Sequence, residues 1–342
     1  SIIALLVSIL LPSLKEARRQ AKTVVCASQM KGMGTGLQTY LSEYEDWIPG
    51  INTSSVAMRA NQFTTDGLQN NFMPVQQFDW MTPISTDTEL PWQRSKRFHF
   101  LLNHMKCPSL QDIPAAAVAF DNTDDEDDFE EISEWPMISY LMPVSFQFWG
   151  DKDAGKPLSK TRGGLSFLRV RALAAPEEYE TVRSERYISR IDRIGNPSEK
   201  LFVADGTRYL DDKLRLDFDV APFPRHFGAF GTSGAFWRGS TAYGVREGAP
   251  MWADPLPVQG GSRGSPSDGR NLQLTYRHGE RGVTNGTPQK NPGSINAVFY
   301  DGHVDLLGDR ESRRVDMWYP RGAVVKRPLD GLSLVEENYI IR

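Results

Sequence analysis

The first 44 residues constrain the fold of this chain more than any other segment. Residues 1–11 read SIIALLVSILL and are almost entirely apolar, Pro12 follows, and an amphipathic stretch then runs to residue 44. Its apolar residues recur at three- and four-residue spacing, the period of one helical face. We therefore predict one long helix, with an apolar stub at 1–14 and an amphipathic half at 15–44. The apolar-face residues are Leu14, Ala17, Ala21, Val24, Val25, Leu37, Tyr40, Leu41 and Tyr44.

Proline and glycine mark the expected weak points of this helix. Pro12 is expected to kink or locally melt it, because proline removes one backbone hydrogen bond. Three glycines near its end lower the helix propensity there (Gly32, Gly34 and Gly36). The segment 47–50 should end the helix, since the residue before a proline is biased away from the α region.

The apolar run Ile2–Leu11 is too short to cross a bilayer as it stands. As a helix it is about 15 Å long, whereas a span takes about 20 residues. Three interpretations compete: the C-terminal half of a longer transmembrane helix, the end of a signal-peptide core, and a buried globular helix. A cleaved signal would be followed by small residues and a break. The helical pattern continues instead, which favours the membrane helix.

The remainder of the chain predicts a turn-rich globular head at residues 51–342, with β structure from about residue 195. The chain has 342 residues with 29 Gly and 22 Pro, and its net charge of −4 gives no sign of the basic patch that nucleic-acid binding demands. Lys200–Ala204 is a short apolar strand that leads into Asp205-Gly206. Asn296–Leu307 predicts a hairpin, with Asp301-Gly302 as a two-residue type I′ turn. The fold class is therefore α+β, with an antiparallel sheet and long loops.

The chain contains only two cysteines, Cys26 and Cys107. Two buried thiols and one disulfide are both open interpretations. If the head lies outside a membrane, the compartment is oxidising and the disulfide becomes the better one. Closing a loop of about 80 residues would stabilise the fold by roughly 3–5 kcal/mol and would staple the helix to the head.

The N-terminal segment resembles the helix that follows the leader peptide in type IV pilins and type II secretion pseudopilins. Ile3–Leu11, Pro12 and Leu14–Ala21 match that family's apolar helix, proline and amphipathic half. The family's leader, peptidase site, N-methylated first residue and first-turn glutamate would lie upstream of Ser1.

Further motifs resemble a group of large pilin-like proteins that are abundant in Planctomycetes. These are CASQMK from Cys26, LQTY from Leu37, Cys107-Pro108, and a C-terminal His followed by Asp-Gly, here His278 and Asp301-Gly302. In this chain 22 residues separate His278 from Asp301, which is more than in that group. We interpret that spacing as an insertion between Gly279 and about Gly293.

The resemblance implies a pilin-like α+β fold and a structural, non-enzymatic subunit of an extracellular type IV pilus-like or pseudopilus-like filament. Its implied partners are copies of itself and the assembly machinery of the inner membrane, where it would reside before reaching the cell surface. The alternatives are a minor pseudopilin of a type II secretion system and a membrane-tethered protein that binds extracellular polysaccharide. The filament-core residues would be Ile2, Ile3, Ala4, Leu5, Leu6, Val7, Ile9, Leu10, Leu11, Pro12 and Leu14.

Two groups of side chains are candidates for site chemistry. An acidic run could bind calcium or form a solvated loop, because it has enough carboxylates but lacks the glycine of an EF-hand. His278 and Asp301 could be a structural pair, a metal pair with Asp205 or His303, or a catalytic dyad, although no nucleophile accompanies them. Apart from calcium, no cofactor is predicted. The acidic residues are Asp121, Asp124, Asp125, Asp127 and Asp128, and a candidate contact loop carries Trp237, Tyr243 and Trp252.

Overall fold

The fold is that of a computed structural model. It describes residues 2–49, 75, 79–85, 89–110, 117–118, 126–147, 157–162, 165–168, 182–183, 187–206, 215–216, 275–279, 293–312, 314–325 and 338–342. Within these ranges it combines a long N-terminal helix with an antiparallel sheet, which is an α+β arrangement.

Helix α1 runs from Ile2 to Glu43 without interruption. Its 42 residues make a rod about 63 Å long. The expected local melting at Pro12 is wrong, because a proline removes a single N–H and the residues around it are good helix formers. Among the helices that the structure describes, none is long and apolar enough to cross a membrane.

Helix α1 ends in a tight turn that precedes Pro49, so the proline itself does not end the helix. Glu45 and Asp46 both adopt the left-handed conformation, with φ of 51° and 66°. The chain then pairs with the segment 187–191, where the Ile48 N–H donates to the Ser189 carbonyl at 2.9 Å. The helix thus ends close to the predicted position, and its exit is clamped to the head.

The main sheet has five antiparallel strands in the described residues. Strands β6 (Leu201–Asp205) and β9 (Gly293–Phe299) are its centre, and β2 (Tyr140–Leu141) and β10 (Val304–Gly308) flank them in the order β10-β9-β6-β2. Strand β8 (His278–Gly279) also pairs with β9. Because β10 covers one side of β9, β6 and β8 lie end to end along its other side. The strand and the hairpin that the sequence predicts are both present.

Shorter elements complete the described structure. Helices α2 (Met81–Ile84) and α3 (Arg94–His104) lie on the head, with α4 (Glu126–Glu130) and α5 (Asp309–Ser312) elsewhere on it. Minor two-stranded pairs join β1 (Ala117–Val118) to β7 (Arg215–Leu216), β3 (Pro157–Arg162) to β4 (Leu165–Leu168), and β5 (Val182–Arg183) to β11 (Val324–Val325).

The turn between β9 and β10 differs from the predicted type I′ turn. The Gly302 N–H donates to the Phe299 carbonyl at 2.8 Å, which makes Tyr300 and Asp301 the central residues. Gly302 alone has a positive φ, 84°, among these turn residues, whereas type I′ requires it at both central positions. The connection is therefore a type I turn followed by a left-handed glycine. The Phe299 ring stacks on the His303 ring across this turn.

Lys200, at the start of β6, is a buried cation that ties this strand to the C-terminal segments. Its ammonium group donates to the carbonyls of Asp316 (2.7 Å), Tyr319 (3.1 Å) and Arg342 (2.5 Å). Burial lowers the pKa of Lys200 to about 8. One end of the central strand is thus held by a buried charge, and the other end carries Asp205.

Glycines let α1 approach the head closely. A Cβ at Gly36 would overlap the Ile84 carbonyl in α2, and one at Gly34 would lie 3.1 Å from the Gly302 Cα in the hairpin turn. These two glycines are therefore packing residues and not merely weak points of a helix. Gly32, in contrast, faces open space.

We expect Gly36→Ala and Gly32→Ala to change stability in opposite directions. Gly32→Ala should raise the free energy of unfolding by up to about 1 kcal/mol. The alanine reduces the backbone entropy of the unfolded chain and meets no neighbouring atom in the folded one. Gly36→Ala should lower it by about 1–3 kcal/mol through overpacking against Ile84. Denaturant titration of both variants measures the difference, and stabilisation by both would contradict the close approach.

Candidate functional site

The first half of α1 carries an exposed apolar surface. No described side chain of the helix before Cys26 is buried. Ile2 is 79% exposed, Leu5 63% and Leu14 66%. Because the exposed apolar side chains fill nine of the thirteen positions from 2 to 14, they lie on all sides of the stub, which is typical of a helix buried in lipid or in an assembly. They are Ile2, Ile3, Leu5, Leu6, Val7, Ile9, Leu10, Leu11 and Leu14.

The two side-chain hydroxyls of residues 2–14 are both paired within the helix itself. The Ser8 hydroxyl donates to the Leu5 carbonyl at 2.7 Å, and the Ser13 hydroxyl donates to the Leu10 carbonyl at 2.9 Å. Arg19 is the first side chain of α1 with a described hydrogen bond to the head, donating to the Gly279 carbonyl at 2.6 Å. Residues 2–14 can therefore enter an apolar environment without leaving a side-chain hydroxyl unpaired.

A buried group of four side chains lies where α1 meets the sheet, and we call it the Cys–His–Asp cluster: Cys26, Cys107, Asp205 and His278. Cys26 comes from α1 and Cys107 from the chain after α3, and the two are joined by a disulfide. The Cys107 Sγ lies 3.8 Å from the His278 Nε2. The same nitrogen lies 3.0 Å from the Asp205 Oδ2. All four residues are fully buried.

The sheet places Asp205 beside His278. Asp205 ends β6 and His278 begins β8, the two strands that follow one another along the same side of β9. Asn296 of β9 lies between them and donates its N–H to the Asp205 Oδ2 at 2.6 Å. The two side chains are 73 positions apart in sequence but meet because one strand pairs with both segments.

A buried arginine balances the charge of Asp205. The Arg277 Nη1 lies 3.9 Å from the Asp205 Oδ1, with both side chains fully buried. The guanidinium also donates to the Gly206 carbonyl and to the Thr275 hydroxyl, both at 2.9 Å. Burial, reinforced by the negative charge of Asp205, raises the pKa of the neighbouring Tyr140. The cluster is thus a compact, charge-balanced polar centre inside the apolar core.

The structure does not bring His278 and Asp301 together. Asp301 lies in the exposed hairpin turn, where its Oδ1 is 2.6 Å from the His303 Nδ1. Partial burial would raise the pKa of Asp301, but hydrogen bonds from the His303 N–H and ring lower it. Of the two further residues considered for a metal site with His278, Asp205 lies beside it, whereas His303 contacts Asp301. A structural His278–Asp301 pair is therefore excluded, because the turn carries Asp301 away from β8.

Other candidate residues fall partly or wholly outside the described ranges. Asp127 and Asp128 belong to α4, whereas Asp121, Asp124 and Asp125 lie outside the described residues. The candidate contact residues Trp237, Tyr243 and Trp252 also lie outside them. The calcium and contact-loop hypotheses therefore stay predictions.

The sequence analysis did not identify Arg277 and Thr23, which both contact the Cys–His–Asp cluster. The Thr23 Oγ1 lies 3.1 Å from the His278 Nδ1, and Arg277 holds Asp205. Neither residue belongs to a local pattern that marks it, because both contacts depend on strand pairing and helix docking.

Comparison with protein-family models, curated proteins and solved structures found no match to this chain. Its function therefore has to be inferred from its own residues and geometry.

Proposed function

We propose that this chain is a structural subunit of an extracellular filament of the type IV pilus-like or pseudopilus-like kind, which polymerises through the apolar stub of α1. The observation that carries the proposal is the all-round exposure of that stub on a helix whose other half is anchored in the head. The N-terminal sequence pattern described above supports the same class.

Polymerisation would remove the apolar surface of the stub from water. Nine large apolar side chains between Ile2 and Leu14 are exposed. Burying each one contributes roughly 1.5–3 kcal/mol. A tight bundle of identical helices buries them all. Ala4, Ser8, Ala17 and Ala21 are small enough to let such helices approach closely.

Helix α1 is fixed to the head by a disulfide and by close packing. The Cys26–Cys107 disulfide joins α1 to the head, and Gly34 and Gly36 seat it against the hairpin turn and α2. Load carried along packed stubs would therefore pass into each head through a covalent link. In this proposal the chain resides in the inner membrane before assembly, and the heads form the filament surface.

The test is assembly in the source cells by variants of the stub. We expect Leu6→Glu combined with Leu10→Glu to reduce the chain in the sheared surface fraction at least tenfold. In the proposed filament, charges would replace two leucines whose burial between helices contributes roughly 1.5–3 kcal/mol each. Lys22→Glu, an exposed change on the same helix, is the matched control and should assemble normally. Quantitative peptide mass spectrometry of sheared and whole-cell fractions measures both.

Three outcomes would contradict the proposal or change its class. A wild-type chain that is absent from the sheared fraction and remains in membranes would indicate a tethered monomer. A trace amount relative to the filament mass would indicate a minor pseudopilin. Normal assembly of the double glutamate variant would exclude the stub as the polymerisation surface.

A further inference from the structure

The Cys–His–Asp cluster contains side chains that bind metals. The Sγ atoms of Cys26 and Cys107 and one ring nitrogen of His278 lie within 4.8 Å of one another, and all three residues are buried. The Asp205 Oδ2 is 3.0 Å from the His278 Nε2. Two sulfurs, an imidazole and a carboxylate are all ligands that zinc uses in proteins.

The distances are close to those of a tetrahedral metal site. Zinc bonds of about 2.3 Å to sulfur and about 2.1 Å to nitrogen or oxygen place neighbouring ligand atoms about 3.4–3.8 Å apart. The Cys107 Sγ to His278 Nε2 distance is 3.8 Å. Cleavage of the bond between the two sulfurs would let them separate toward such distances, and Asp205, next to His278 but outside the group of three close ligands, would supply the fourth.

The orientation of the His278 ring also fits metal ligation. Its Nε2 faces the cluster, and its Nδ1 lies 3.1 Å from the Thr23 Oγ1. The Thr23 hydroxyl donates to the Arg19 carbonyl at 3.2 Å, which leaves its lone pairs for an Nδ1–H. A histidine that ligates a metal through one nitrogen usually donates the other N–H to such an oxygen.

The charges balance when a divalent cation is present. Two thiolates and the Asp205 carboxylate carry three negative charges, and a divalent cation with the Arg277 guanidinium carries three positive ones. The Asp205 Oδ1 lies 3.9 Å from Arg277 and accepts no hydrogen bond from the described residues. The carboxylate thus turns Oδ1 toward the guanidinium and Oδ2 toward His278, where Oδ2 also accepts the Asn296 N–H at 2.6 Å.

We propose that reduction of the Cys26–Cys107 disulfide converts this cluster into a binding site for one zinc ion, with Cys26, Cys107, His278 and Asp205 as ligands. A phosphine reductant transfers two electrons to the S–S bond and becomes a phosphine oxide with oxygen from water, leaving two thiols. Zinc then displaces both thiol protons, and the ring proton moves from Nε2, where it faces the Asp205 Oδ2 at 3.0 Å, to Nδ1, where it faces the Thr23 Oγ1 at 3.1 Å. Helix α1 would thus be cross-linked to the head in both redox states, by a disulfide or by a metal.

Cobalt titration of the full chain tests the proposal. After anaerobic reduction by a phosphine, we expect one equivalent of Co²⁺ to produce thiolate-to-cobalt charge transfer and the absorption of tetrahedral cobalt, and Zn²⁺ to abolish both. The oxidised chain should produce neither. His278→Ala should weaken binding by more than the roughly 10–100-fold that loss of an outer partner causes. His303→Ala, at the exposed turn, is the matched control and should leave binding unchanged.

Folding of the reduced chain is monitored in the same samples by circular dichroism. If the reduced chain unfolds without metal, reduction in the presence of Zn²⁺ should preserve the fold with one zinc ion bound, and unfolding despite zinc would overturn the proposal. A folded chain with two free thiols and no charge-transfer band would overturn it, as would unchanged binding by His278→Ala. None of these readouts depends on filament assembly.

Discussion

Replacement of both Cys26 and Cys107 by alanine is expected to lower the free energy of unfolding by about 3–5 kcal/mol. The disulfide joins residues 81 positions apart, so its loss frees a long loop in the unfolded chain. Both cysteines are also fully buried in the core, and alanine leaves the space of two sulfurs unfilled. Denaturant titration of the variant against the wild type measures the change.

Chemical reduction provides the control for this substitution. Phosphine-treated wild type, with a chelator present to remove metals, should unfold at a denaturant concentration between those of the oxidised wild type and the double alanine variant, because its two buried sulfurs still fill the core. The variant itself should not respond to the phosphine. Equal stability of the oxidised and reduced wild type would contradict a structural role for the disulfide.

Asp205→Ala is expected to lower the free energy of unfolding by about 3–5 kcal/mol, the usual consequence of removing one member of a buried ion pair. The substitution would leave the Arg277 guanidinium fully buried without its carboxylate and would remove the acceptor of the Asn296 N–H. It would also deprive His278 of the oxygen 3.0 Å from its Nε2. Thermal and denaturant unfolding of the oxidised protein would report the loss.

Asp301→Ala is the matched control for this prediction. Asp301 is also an aspartate before a glycine that follows an apolar strand, but its contact with His303 lies in the exposed hairpin turn. We expect its removal to change stability by no more than about 1 kcal/mol. Equal losses for the two variants would show that burial of Asp205 does not distinguish it from its surface counterpart.

The Cys–His–Asp cluster connects the exposed part of α1, which would polymerise, to the head. It lies where the exposed part of α1 meets the head, because Arg19 and Thr23 contact Gly279 and His278 only one or two turns before Cys26. Loss of the disulfide or of Asp205 is therefore expected to loosen the base of the projecting helix. The apolar stub and the buried cluster are thus parts of one mechanical element.

Local patterns in the sequence were sufficient to predict the secondary structure that surrounds the site. The three- and four-residue spacing of apolar residues predicted a helix ending near residue 44, and α1 ends at Glu43. The apolar run at 200–204 and the hairpin at 296–307 also became strands of the sheet. These predictions succeeded because each depends on residues that are neighbours in the chain.

The same local rules were less reliable for glycine and proline. Pro12 did not interrupt the helix, and the glycines at 34 and 36 proved to be points of close packing against the hairpin turn and α2. The effect of a missing side chain depends on what lies opposite it, and periodicity carries no information about that.

By itself, then, the sequence determined the long helix, its apolar stub and the central strands, because these follow from short-range spacing. Its two cysteines also allow only one pairing within the chain. Only the tertiary structure decided which Asp-Gly pair is buried and which is a surface turn. Asp205 and Asp301 occupy similar local sequence, but β9 pairs with both β6 and β8 and thereby brings Asp205 to His278. Long-range strand pairing and the docking of α1, rather than any local motif, assembled the Cys–His–Asp cluster.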